Sequence, residues 1–227
     1  MQKKRNKKDS TGKDFSFSTI ENFDNHISSS IVGYKGLIAD VITLSEYFIE
    51  PKTNVYDIGC STGKLIRKLA PSYRDSKFIG IEPESNFQQD LVNSRNIEFK
   101  CDDLFDVDMR NSSIIFSIFT MQFIPVHRRL EAFEKVYAGL NKGGAFILAE
   151  KTLASDPKVQ DMMSFMYYDH KRGKFNDSAI LDKEKALRSI MKCLTVKEYI
   201  AMLKKVGFKT VAPFWRRYNF NSLIAVK

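Results

Sequence analysis

The stretch Asp57-Ile-Gly-Cys-Ser-Thr-Gly63 combines an acid, two glycines and small side chains within one turn's length of chain. Small residues let backbone approach a bound molecule closely, and the carboxylate can accept from a cationic group on it. The spacing narrows the ligand. A dinucleotide fingerprint asks for glycine in a G-x-G-x-x-G pattern; Gly59 fits, but Ser61 and Lys64 hold the second and third positions. A phosphate-binding P-loop asks for glycine and a hydroxyl residue where Ile58 and Leu65 stand, in spite of the Gly63–Lys64 pair. Two further acids, Glu82 and Asp103, each follow an apolar run. A carboxylate at the place of Glu82 can accept both hydroxyls of a ribose, as in nucleotide-binding folds generally. Singly, each acid also reads as a cap or turn residue.

The surrounding pattern supplies the elements that must position these groups. Apolar runs at 54–59, 77–82, 96–100, 113–119 and 145–150 read as five strands. Helical spacing covers 36–50, with Leu37, Val41, Leu44, Tyr47 and Phe48 on one face, then 64–70 up to Pro71, and 126–140, with Leu130, Phe133, Val136, Tyr137 and Leu140. This alternation predicts an α/β fold: a Rossmann-like, doubly wound parallel sheet with helices on both sides, and the 57–63 loop where such sheets bind ligands. From residue 151 the alternation breaks into three helical stretches, 155–171, 177–192 and 195–206, the last opened by a Thr195–Glu198 capping box and closed by Gly207. They predict a helical insertion or lid over 151–207, before two closing strands at 210–214 and 222–226. The division expected is a basic tail over 1–13 and one domain over 14–227.

Composition bounds the rest. The chain has 227 residues, 43% hydrophobic and 28% charged, without an apolar run long enough for a membrane helix. Its three cysteines, Cys60, Cys101 and Cys193, stand in none of the paired spacings of zinc or redox sites, so no metal centre is expected and a cytoplasmic setting is. Residues 1–13 carry six basic side chains against one acid, and residues 151–227 carry 16 against seven. A basic surface beside an acidic half favours an anionic partner, whether carboxylate, phosphate or RNA backbone, and the tail is a candidate nucleic-acid contact or a disordered solvated arm. His26, His127 and His170 are dispersed and read as surface or core residues.

The acid-x-Gly-x-small-x-Gly loop resembles the first motif of class I S-adenosylmethionine-dependent methyltransferases. The resemblance narrows on Phe119-Thr-Met-Gln-Phe-Ile124, Lys135 to Gly144, Leu148-Ala-Glu-Lys151 and Tyr218 to Val226, with Val32-Gly-Tyr34 and the Lys171–Arg172 pair. These are similar to the carboxy-S-adenosylmethionine synthase family, from about Phe23 to the carboxyl terminus. Those enzymes use S-adenosylmethionine and prephenate, and a partner enzyme uses the product on a wobble uridine of transfer RNA. The resemblance implies a homodimer and cofactor contacts at Tyr34, Gly59, Cys60, Ser61, Glu82, Asp103 and Leu104; the loop itself adds Asp57 and Gly63 and strand four adds Ile118, and Tyr34 is also the candidate beside the reacting sulfur. It departs at two positions: Ile118 replaces an asparagine of the family, and Glu184 falls where the family has the arginine that neutralises the added carboxylate. A carboxylate facing a carboxylate opposes product binding unless Lys183, Lys185 or Arg188 supplies the charge. Three readings follow. The first is methyl transfer from S-adenosylmethionine to an anionic small molecule or RNA, favoured by the missing arginine. The second is the synthase, binding S-adenosylmethionine or its carboxylated form. The third is a nucleic-acid-binding module without turnover.

Overall fold

The computed structural model describes residues 23–227; the basic stretch 1–13 lies outside the described residues. The strands are β1 (Asn54–Ile58), β2 (Lys77–Ile81), β3 (Ile97–Lys100), β4 (Ser112–Ile118), β5 (Leu140–Lys151), β6 (Thr210–Arg217) and β7 (Phe220–Val226). The helices are α1 (Phe23–Ser30), α2 (Tyr34–Ser45), α3 (Lys64–Leu69), α4 (Val126–Gly139), α5 (Pro157–Arg172), α6 (Asp177–Ile190) and α7 (Val196–Val206). The strands form one sheet in the order β3-β2-β1-β4-β5-β7-β6.

Strands β1 to β5 pair in parallel, as the alternation predicts. The departure from an all-parallel sheet is β7, which lies antiparallel between β5 and β6. Tyr218, at φ 50°, and Asn219 alone connect β6 to β7, and so short a link can only return the chain antiparallel.

Alternate residues of the inner strands feed two cores, which is why the runs read as almost unbroken apolar stretches. Val55, Phe78, Ile114 and Ile147 pack against Leu37 and Val41 of α2, Ile66 and Leu69 of α3, and Tyr167 of α5. Tyr56, Ile79, Ile115 and Phe146 pack against Phe133 and Val136 of α4 and Tyr199 and Leu203 of α7. Thus α7, expected as part of a 151–207 insertion, belongs to a helical layer of the sheet. The segment that rises over the strand ends is α5 and α6. The capping box forms: the Glu198 amide donates to Thr195 Oγ1 at 3.2 Å and the Thr195 amide to Glu198 Oε2 at 2.7 Å.

Two boundaries differ from the pattern for local reasons. The helix expected over 36–50 runs from Tyr34 to Ser45, where the buried Ser45 hydroxyl donates back to the Val41 carbonyl at 2.6 Å. Tyr47, expected on the apolar face, is 82% exposed. Strand β5 begins at Leu140 and passes through Gly143–Gly144, where the register against β4 shifts. A Cβ on Gly144 would stand 2.9 Å from the Ser113 carbonyl oxygen, so this close approach needs glycine.

One charge is enclosed in the α4–α7 core. Arg129, fully buried, donates to the carbonyls of Ile124 at 2.9 Å, Gln122 at 3.0 Å and Lys192, and to the Tyr199 hydroxyl at 3.0 Å. Beside it, buried Glu150 accepts from the Met121 amide at 3.0 Å and from Tyr199 at 3.5 Å. The network fastens the turn after β4, the chain after α6, and α7 to one another.

Candidate active site

A cavity of about 360 Å³ opens at the carboxyl ends of β1, β2 and β4, where the strand order reverses between β1 and β4. Gly59, Ser61, Glu82, Asp103, Leu104 and Ile118 line it, so residues from the ends of four strands, β1 to β4, share one space. The loop reaches this shape through three left-handed residues at alternate positions: Gly59 at φ 71°, Ser61 at 49° and Gly63 at 73°. A Cβ on Gly59 would meet Thr120 Oγ1 at 2.3 Å, and one on Gly63 would meet the Phe99 ring at 2.5 Å. The strained Ser61 is held by its amide, which donates to Glu82 Oε2 at 2.9 Å, while the Glu84 amide donates to Glu82 Oε1 at 3.0 Å. Burial raises the Glu82 carboxyl and these two bonds oppose it. Asp103 is exposed at the rim, with its Oδ1 accepting from the Phe105 amide at 3.0 Å.

Asp57 points to the other face of β1, into a side pocket of about 40 Å³ lined also by Tyr34, Gly59, Cys60, Ser61 and Ile118. Desolvation, then the nearby Glu82 charge, pushes its carboxyl up to about 8. At neutral pH the acid is therefore largely protonated until a cation arrives. A bound ammonium favours the carboxylate, so binding S-adenosylmethionine should release protons near pH 7, fading above about pH 9. Calorimetry in buffers of different ionisation enthalpy measures this release, and Asp57→Asn should abolish it. Tyr34 stands in the side pocket, its hydroxyl raised by burial and by Asp57, and Cys60 is buried there with its thiol likewise raised.

The opposite end of the main cavity is cationic. Of the residues proposed for the substrate side, Lys183 lines it. Glu184 turns away onto Lys151, both carboxylate oxygens 3.3 Å from Nζ, with each side chain under 15% exposed. Lys185 is exposed 4.0 Å from Asp182, and Arg188 is exposed with its carbonyl accepting from Lys192. The carboxylate-against-carboxylate conflict expected at Glu184 is thus removed by a lysine partner. Sequence reasoning missed the roles of Lys151, although it stands in a quoted motif, and of His26, set aside as a dispersed histidine; both line the cavity. Spacing holds no signal for either, because their neighbours there come from α5 and α6, well over 100 residues from His26.

S-adenosylmethionine suits these residues: a glycine cradle that a Cβ would fill, a buried acid for an ammonium, an enclosed acid for ribose hydroxyls and a rim acid for an adenine amino group. When bound, the cofactor supplies a one-carbon group activated by its sulfonium. Ile58, Leu104, Phe119 and Phe123 line the cavity and would enclose it. Fold and site together define an S-adenosylmethionine-dependent enzyme of the class I methyltransferase superfamily. A family model described as "Methyltransferase domain" matches residues 55–144. Among solved structures, human N-acetylserotonin methyltransferase aligns with a TM-score of 0.57 at 15% identity, covering 77% of this chain and 47% of that one. Phosphoethanolamine N-methyltransferase 2 of Haemonchus contortus gives 0.59 at 13%, covering 82% and 51%. These likenesses concern the fold.

The sequence relatives are more specific. The carboxy-S-adenosyl-L-methionine synthase of Staphylococcus epidermidis is 36% identical over 92% of this chain and 94% of its own length. The protein of the same name from Mannheimia succiniciproducens is 30% identical, covering 94% of each. The chain belongs to the carboxy-S-adenosyl-L-methionine synthase family.

Proposed function

We propose that this protein is a carboxy-S-adenosylmethionine synthase, taking S-adenosylmethionine and prephenate. The observation that carries the reading is the charge at the end of the cofactor cavity: Lys151 and Lys183 line it, and the acid that stands in the arginine's place is neutralised on Lys151. Such a wall suits a substrate or product that brings a carboxylate next to the sulfonium, because an ammonium in an enclosed site binds it with a charge-assisted hydrogen bond. Methyl transfer to an anionic small molecule or RNA drew its support from an uncompensated Glu184, and that support goes with the Lys151 contact. The binding-module alternative leaves the cavity's polar groups without a task. The reading also carries a homodimer, a cytoplasmic setting and a product used in transfer RNA wobble-uridine modification.

The test is mass spectrometry of the purified protein incubated with S-adenosylmethionine, with and without prephenate. Carboxy-S-adenosylmethionine is expected only with prephenate. S-adenosylmethionine that binds and stays unconverted in both overturns the synthase reading and turns the search to methyl acceptors, beginning with RNA.

A further inference from the structure

Lys64 directly follows the glycine loop and lines the side pocket that holds Asp57. We propose that Lys64 is the cation that takes the carboxylate at the amino-acid end of S-adenosylmethionine, with Asp24 of α1 holding the ammonium in place. This contact serves the cofactor whichever reaction follows.

The placement starts from covalent structure. The ammonium and the carboxylate of the cofactor share one carbon, so an ammonium at Asp57 brings the carboxylate into the same small pocket. Asp57 and Asp24 both line that pocket, and their charge suits the ammonium and opposes an unpaired carboxylate. Among the described residues lining it, Lys64 alone is basic. The hydroxyls of Tyr34, Ser61 and Thr62 are neutral donors, and Thr62 Oγ1 already donates to Asp24 Oδ1 at 3.0 Å.

The contact between α1 and the loop fixes where the Lys64 ammonium stands. Its Nζ lies 3.2 Å from Asp24 Oδ2, so the Asp24 carboxylate spans the loop with one oxygen on Thr62 and the other on Lys64. Asp24 thereby draws the lysine toward α1, whose Ile27 lines both the side pocket and the main cavity. An ammonium carries three donors, enough to bridge Asp24 and a second carboxylate. With the zwitterion bound, acids and ammonium groups alternate: Asp57, the ligand ammonium, the ligand carboxylate, Lys64, Asp24. The Lys64 side chain is 62% exposed, so water and salt compete and the contact is of moderate strength.

The test is calorimetric binding to the full chain of two ligands that differ by one group. S-adenosylhomocysteine carries the whole amino-acid end, and S-adenosyl-3-thiopropylamine keeps the ammonium and lacks the carboxylate. Wild type should prefer the first by about tenfold, and the preference should shrink as salt is raised. Lys64→Met should bind S-adenosylhomocysteine about tenfold more weakly and the amine at least as tightly as wild type, so that the preference disappears. Undiminished amine binding reports an intact loop, which general damage would not give. Lys64→Arg, which keeps the charge, should keep the preference. Equal affinities in wild type, or a preference that survives Lys64→Met, overturn the assignment; loss of the preference in Tyr34→Phe with retention in Lys64→Met gives the carboxylate to the tyrosine hydroxyl instead. Binding of neither ligand by wild type overturns the cofactor site and Lys64 with it. The synthase reading is judged separately: product formed with prephenate by a protein that shows no carboxylate preference sinks the anchor alone, and the expected preference without product sinks the synthase alone.

Discussion

Replacing Arg129 by methionine is expected to lower the melting temperature by about 10 °C. Methionine fills much of the volume, so the loss is electrostatic. The guanidinium donates to three carbonyls and the Tyr199 hydroxyl inside the α4–α7 core, and its removal leaves those acceptors dry. Breaking one side of a buried charged network costs about 3–5 kcal/mol, and for a domain of this size each kcal/mol is worth roughly 2–4 °C. The pH dependence identifies the cause. Burial holds Glu150 up at about 8 while Arg129 pulls it down. An acid raised by folding costs stability as pH climbs above its unfolded value, and without Arg129 that cost continues to higher pH. The deficit against wild type should therefore be smaller near pH 5, where Glu150 is protonated in both, and larger near pH 9. Thermal melts by circular dichroism across that range decide it. A deficit independent of pH would assign the loss to the carbonyl contacts and remove Glu150 from the network.

The five parallel strands and the loop after β1 are legible because both depend on near neighbours: period-two burial, and glycines where backbone turns left-handed. Gly59 and Gly63 announce the turn, but Ser61, at φ 49°, and Phe119, at φ 61°, do not, since nothing in a serine or phenylalanine marks a strained backbone. Glu82 could be placed from its strand end, whereas the direction of Glu184 depends on Lys151, which is 33 residues away and arrives from another element. Aligning Glu184 with an arginine gives its place in the chain and says nothing of the lysine that meets it. The antiparallel β7 follows a connection too short for any other return, and α7 shows the amphipathic face of a layer helix; its allotment to the insertion came from the missing strand before it. The cationic end of the cavity lies furthest from sequence, because α1, β5 and α6 contribute one basic side chain each, His26, Lys151 and Lys183, none of them at a spacing that announces a site.

Glu82→Gln should weaken S-adenosylmethionine binding by about 100-fold with only a small change in melting temperature. The carboxylate is 5% exposed, lines the cavity, and already accepts from the Ser61 and Glu84 amides with one oxygen each. Each oxygen keeps a further lone pair for a ribose hydroxyl. An amide of the same shape has one oxygen. Whichever way it turns, its NH2 faces either the Ser61 or the Glu84 amide, donor against donor, and one hydroxyl loses a charged acceptor. If the Ser61 side is lost, the left-handed residue that shapes the loop loses its restraint as well, so affinity falls through both contact and pre-organisation. Asp103→Asn, at the exposed rim, should cost only about threefold, since water competes for its bond. The Gln variant carries a second signature: Glu82 helps to raise Asp57, so removing its charge lowers the Asp57 carboxyl and shrinks the proton release on binding at pH 7. Calorimetric titration reads affinity and proton release in the same experiment. Wild-type affinity in the Gln variant would mean that the ribose lies elsewhere in the cavity, and weak binding with unaltered proton release would mean that Asp57 and Glu82 are not coupled across the loop.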